Sequence, residues 1–83
     1  MKSDLREIPG VGIKMEASLQ KLGYTTIASL KNADPEEMYE KDALLHGEKR
    51  DACVLYVYRL AVYYASTEEK KREPEKLKWW NWK

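Results

Sequence analysis

"LREIPGVGIKMEASLQKLGY", residues 5–24, is the stretch that decides how this chain folds. Leu5 and Ile8 are spaced to share one face of a short first helix capped by Ser3 or Asp4, and "IPGVG" ends that helix in a tight turn. A second helix follows at once, from about Ile13 to Leu22, with Gly23 as its left-handed stop. A glycine-containing turn that leads straight into a helix leaves backbone N–H groups unpaired at the positive end of the helix dipole. Such a place accepts an anion such as phosphate. Gly10 and Gly12 carry no side chain to obstruct a phosphodiester, so the N–H groups of Gly10, Val11 and Gly12 are the expected donors. Lys14 stands beside them as a point charge, and Lys21, two turns along, reaches toward a neighbouring phosphate. No base edge is read this way, so such binding is independent of sequence.

With Leu5 and Ile8 ahead of Pro-Gly-hydrophobic-Gly, and Leu19, Leu22 and Gly23 behind it, residues 3–23 resemble the helix-hairpin-helix motif. The resemblance implies a hairpin of two helices whose turn contacts DNA backbone. A second reading stands beside it, in which the hairpin is a packing unit without a ligand. The motif usually has a small residue four positions after its second glycine, where this chain has Glu16 and then Ala17. A carboxylate near the turn repels phosphate.

Outward from the hairpin, no strand pattern exceeds a few residues, and the expectation is one all-α domain of about five helices over residues 1–83. Residues 25–32 read as a short connector helix capped by Thr25 or Thr26, with Ile27 and Leu30 as its buried pair. Residues 34–66 read as a helix pair. Its first member opens with Asp34 as N-cap, Pro35 at the first helical position and Glu36 and Glu37 in the first turn, where they favour the dipole. Its second runs from about Asp51, the N-cap, to Ser66. This pair stands as a degenerate second hairpin: Gly47 is its one turn glycine, Pro-Gly-hydrophobic-Gly is missing, and Lys49 and Arg50 supply charge only.

The fifth helix carries a single charge, Arg59, among residues 52–65. A helix that is apolar all round is a buried one. Arg59 then needs compensation, from a glutamate of the fourth helix or by snorkelling to the rim. Cys53, near its start, reads as a buried structural cysteine rather than half of a thiol–imidazole pair with His46. Tyr56 and Tyr63, seven apart, can serve as core or as a stripe for self-association. Residues 67–83 form a charged linker and a tail, "KLKWWNWK", and that tail is the apolar segment left to cover the fifth helix. Trp79, Trp80 and Trp82 span too wide an arc all to face inward, so one indole stays partly exposed, open to base stacking.

Bulk properties agree with this reading. A domain of 83 residues buries only about 60% of the surface its unfolded chain exposes, so its large apolar side chains are needed for the core. The net charge is +1, which removes any whole-molecule attraction to nucleic acid and leaves binding to a local patch. Residues 1–33 are net basic and residues 34–50 net acidic, so the middle is the least suited to face DNA. One cysteine allows no internal disulfide, and no acid, base, nucleophile or metal set stands out, so neither an enzyme nor a cofactor is expected. The opening "MKSDLREI" has no secretory pattern, and the longest apolar run is too short to span a bilayer, so a cytoplasmic protein without a membrane role is the expectation.

Beyond the hairpin, "IPGVG", "LGYTTIASLKNADPEEMY", "DACVLYVYRLAVYYAS" and "LKWWNWK" resemble the pathogenicity locus family of small helix-hairpin-helix proteins, some labelled mitomycin-resistance proteins. The resemblance implies a bacterial helical protein of DNA-binding character and supplies no biochemical activity. The functional expectation is therefore weak, sequence-independent DNA binding through the hairpin turn, with no small-molecule substrate. The alternative is a protein-interaction module or homodimer that uses helix 52–65 and the tryptophan tail.

Overall fold

Three α-helices and five short 3₁₀ turns make up the regular structure of the computed structural model, which describes residues 4–48 and 51–82. We label the helices α1 (Ile13–Lys21), α2 (Pro35–His46) and α3 (Ala52–Ser66). The all-α expectation therefore holds, and no strand occurs among the described residues. The count of five helices is corrected. The expected first and third helices are single 3₁₀ turns, Leu5–Glu7 and Ala28–Leu30. Pro9 stops one and left-handed Asn32, at φ 65°, follows the other, so neither segment is long enough to propagate an α-helix.

Segments this short are held by contacts from elsewhere. Asp4 makes no side-chain cap to its own turn; its Oδ1 instead accepts the Ile27 N–H at 2.7 Å and ties the first turn to the third segment. Ser3, the other expected cap, lies outside the described residues, as do Lys49 and Arg50. Thr26 does act locally: its Oγ1 accepts the Ser29 N–H at 3.2 Å, and Ser29 Oγ accepts the Thr26 N–H at 3.3 Å.

The true helices start and stop as their local chemistry dictates. Asp34 Oδ1 accepts the N–H groups of Glu36 and Glu37, with Pro35 in the first turn of α2. Asp51 Oδ1 accepts the Cys53 N–H at 3.0 Å to open α3. Gly23 (φ 97°) and Gly47 (φ 72°) end α1 and α2 in the same way. In each case the N–H after the glycine bonds back five residues, from Tyr24 to Leu19 and from Glu48 to Ala43, which satisfies carbonyls left over by the helix.

The core forms on α3, which buries Val54, Val57, Tyr58, Leu60 and Ala61. Leu5, Ile8, Leu19, Leu30 and Met38 meet it from the other elements, each essentially inaccessible to solvent. Cys53 departs from expectation. It is exposed, although its neighbour Val54 in the same first turn is buried, and its thiol joins its N–H in hydrogen bonding to Asp51.

The tail returns through three 3₁₀ turns, Glu69–Lys71, Pro74–Leu77 and Trp79–Trp82, and packs Leu77, Trp79 and Trp82 on the core. Trp82 lies 5.4 Å from the Tyr63 ring and donates its indole N–H to the Lys76 carbonyl. The Tyr63 hydroxyl accepts the Glu73 N–H at 2.9 Å, so Tyr63 is engaged with the returning tail. Arg72 donates to the Tyr64 and Thr67 carbonyls at the end of α3 and lies 3.6 Å over the Tyr64 ring. Burying much of two indoles brings several kcal/mol, at roughly 25 cal/mol per Å² of apolar surface.

Arg59 fastens three elements together. Its Nε and Nη2 donate to Glu36 Oε1 of α2 at 3.2 and 3.0 Å, the ion pair expected with a fourth-helix glutamate. Its Nη1 donates to the Trp82 carbonyl at 2.6 Å, which the sequence did not signal. Arg59→Met, which keeps the stem, should lower unfolding free energy by about 2 kcal/mol, read as a urea midpoint shift. Glu36→Gln should cost less, because the Glu36 carboxylate is more than half exposed and water replaces the lost partner.

Hydrogen bonds from the Cys53 backbone N–H and then its thiol hold the Asp51 carboxyl below its ordinary range. A depressed folded-state pKa contributes stability above the ordinary carboxylate range, and that contribution is lost as pH falls through the folded value. The melting-temperature gap between wild type and Asp51→Asn should therefore be widest near neutral pH and close on acidification.

Candidate nucleic-acid interface at the hairpin turn

Ile8 is buried and the chain reverses immediately after it, with Pro9 half-buried and Gly10 at φ 87°. The Val11 N–H donates back to the Ile8 carbonyl at 3.1 Å, and the Val11 side chain points into the core at 6% exposure. Of the three expected donors, Val11 is thus already occupied by the turn itself. Gly12 then adopts an extended conformation, φ −99° and ψ −167°, and is the N-cap residue of α1.

The first α1-side N–H to find a backbone acceptor is that of Glu16, which donates to the Gly12 carbonyl at 2.9 Å. The N–H groups of Gly12, Ile13, Lys14 and Met15 meet no carbonyl among the described residues. Gly12, as N-cap residue, has no side chain to cap this end, whereas α2 and α3 carry Asp34 and Asp51 at the equivalent place. Among the described residues, no atom beyond its chain neighbours lies within 4 Å of where a Gly12 Cβ would project, so the approach is open. Lys14 is exposed beside it, and Glu16 is half-buried in the same first turn.

Gly10 faces differently. A Cβ there would sit 3.6 Å from Leu60 Cδ2 and 3.6 Å from Trp79 Cδ1, so the tail lies against this side of the turn. Sequence reasoning did not find that contact, since no local pattern links residues 69 positions apart. Trp80 packs edge-on to Trp79 at 5.6 Å and is 50% exposed, which makes it the indole left facing outward.

The expected site residues therefore divide. Gly10, Gly12 and Lys14 gather at the start of α1, with Val11 beneath them. Lys21 is exposed at the far end of the helix, about 10 Å along the axis from Lys14, and lines a different surface with Leu22, Lys41, Leu44 and Leu45. Elsewhere, His46 Nδ1 stays within its own helix turn, 2.9 Å from the Asp42 carbonyl and 3.0 Å from Asp42 Oδ1. Among the described residues, no three His, Cys, Asp or Glu side chains are grouped to hold a metal, and no helix is long and apolar enough to cross a membrane.

The chain belongs to the pathogenicity locus family, which matches it over residues 2–83. It is also similar to a mitomycin resistance protein, McrB, of Streptomyces lavendulae, with 35% identity over 60 residues. The match covers 72% of this chain and spans 57% of that relative. No solved structure matches the chain.

Contacts at 3.6 Å leave room for a methyl group at Gly10, but its positive φ does not suit an L-residue. Gly10→Ala should therefore destabilise the fold by about 1–2 kcal/mol through backbone strain, measured by denaturant titration.

Proposed function

We propose that this chain is a helix-hairpin-helix protein that binds DNA weakly and without regard to sequence, through the turn at Gly12 and the first turn of α1. The observation that carries this reading is the contrast among the three helix starts. Those of α2 and α3 are closed by aspartates, and that of α1 begins at a glycine with no capping side chain, open where its Cβ would project and flanked by exposed Lys14. Outward N–H groups at a dipole's positive end favour a phosphate oxygen. Gly12 and the residues after it are the donors, Gly10 provides the reversal, and Lys14 adds charge.

In the same reading α2, Gly47 and α3 form a degenerate second hairpin without anion affinity, because the Asp51 carboxylate occupies the start of α3. Exposed Trp80, one ring contact from the turn, favours nucleic acid with unstacked bases over a perfect duplex.

Gly12→Asp separates binding from stability. An N-cap aspartate satisfies the orphan N–H groups of α1 and should hold or raise the melting temperature. The same carboxylate fills the anion site and should weaken DNA binding at least tenfold when combined with Lys14→Glu. Fluorescence anisotropy on duplex, branched and single-stranded DNA checks this at low salt. With two or three phosphates engaged, wild-type affinity should drop about 10- to 50-fold between 50 and 200 mM salt. Equal binding by wild type and the double variant, or binding by neither, sinks the proposal.

A further inference from the structure

Each helix and turn between Leu5 and Ser66 buries at least one residue, and the three turns of the tail bury none. Leu77, Trp79 and Trp82 pack on the core only in part. Among the described residues, two hydrogen bonds tie residues 73–82 to the body: the Glu73 N–H to the Tyr63 hydroxyl at 2.9 Å, and Arg59 Nη1 to the Trp82 carbonyl at 2.6 Å. Within itself the segment is better braced. The Trp82 indole N–H donates to the Lys76 carbonyl and Asn81 Nδ2 to the Glu75 carbonyl, each at 2.7 Å, and Lys76 pairs with Glu73 at 2.8 Å. A segment with little burial and more bonds to itself than to its neighbours belongs to the low-stability end of a fold and opens as a unit.

We infer that residues 73–82 are a strap that leaves α3 in one piece while the helices stay folded, and that its release loosens the Gly10 turn. Arg72 sets the pivot. Its Nε donates to the Tyr64 and Thr67 carbonyls at 3.1 and 3.0 Å, so the chain stays anchored to the end of α3 as far as Arg72 and parts from it at Glu73. Release leaves no charge alone, because Arg59 keeps both bonds to Glu36 while the Trp82 carbonyl and the Glu73 N–H pass to water. The apolar contacts of Leu77 and two indoles oppose release, and the conformational freedom returned to the segment favours it.

Trp79 carries the coupling. Its Cδ1 and Cβ lie 3.6 and 3.8 Å from where a Gly10 Cβ would project, on the reversal that the Val11 N–H closes to the Ile8 carbonyl at 3.1 Å. When the indole withdraws, that side of the turn faces water and Leu60 alone is left against it. A change in residues 73–82 is thereby felt where α1 begins. Strap and coupling need no ligand, so the test runs without nucleic acid and is independent of the DNA reading.

Native-state hydrogen exchange on the whole protein, followed by NMR in low urea, reads both parts. The Glu73 amide and the Trp82 indole N–H report the strap, the Val11 amide reports the turn, and the amides of Val57 to Ala61 report α3. In wild type the first three should share one opening and one urea dependence, with protection at least about tenfold below that of α3. Asp34→Ala, which removes the cap of α2, should speed exchange in α3 about fivefold and leave the shared opening unchanged, because α2 stays folded when the strap is released. Trp82→Phe, which puts a smaller ring against Tyr63, should make Glu73 and Val11 open together about fivefold more often. Strap reporters that exchange only with the α3 amides, or a Val11 amide whose opening does not follow that of Glu73 across the two variants, would each overturn the inference.

Discussion

Everything in this fold depends on covering α3. The helix has one charge in its apolar stretch and no polar face to give to water, so a chain of 83 residues must surround it. The Leu5–Glu7 turn, α1, the Ala28–Leu30 turn and α2 reach part of its circumference, and the tail covers a further part. Without the tail, the Tyr63 ring and the Leu60 side next to Gly10 face solvent. The charge itself is put to use. Arg59 emerges between α2 and the tail, and its guanidinium fork spans both, with Glu36 on one prong and the Trp82 carbonyl on the other. Arginine suits this place because its planar donors serve two acceptors from one rigid group.

That cover couples the two ends of the chain. Trp79 and Leu60 of α3 both lie against the Gly10 turn, so the tail that covers the core also packs on the reversal from which α1 begins. Gly10 has a positive φ and a close indole neighbour, Val11 closes the turn with its own N–H, and Gly12 alone is left in open space. The turn therefore has a packed inner half and an open outer half.

How much of this was legible depended on range. Asp34, Pro35, Asp51, Gly23 and Gly47 act within four or five residues of their own positions, and each does what its local pattern indicated. The Arg59–Glu36 pair was also legible, because an apolar helix with one charge must find a partner and α2 is rich in carboxylates. Asp4 was misread as a local cap because its acceptor serves Ile27, 23 residues away. Cys53 was misread because an all-apolar run gives no sign of which side of a helix is left uncovered, and Cys53 is exposed while its neighbour Val54 is buried. The first and third helices were read too long, since periodicity marks a buried face and is silent on whether a turn continues.

The candidate site divided along the same line. Gly10, Gly12 and Lys14 came together as expected because they are neighbours along the chain. Val11 dropped out because the turn consumes its N–H, and Lys21 moved to another surface because α1 carries it to the opposite end. By itself the sequence determined an all-α chain, the helix starts and stops, and a glycine turn opening directly into a helix. All are set by backbone conformation and hydrogen bonds over a few residues. Tertiary structure alone decided that Gly10 is covered while Gly12 stays open, and which indole remains outside. Those depend on what packs against each group, and residues far apart in the chain supply that packing.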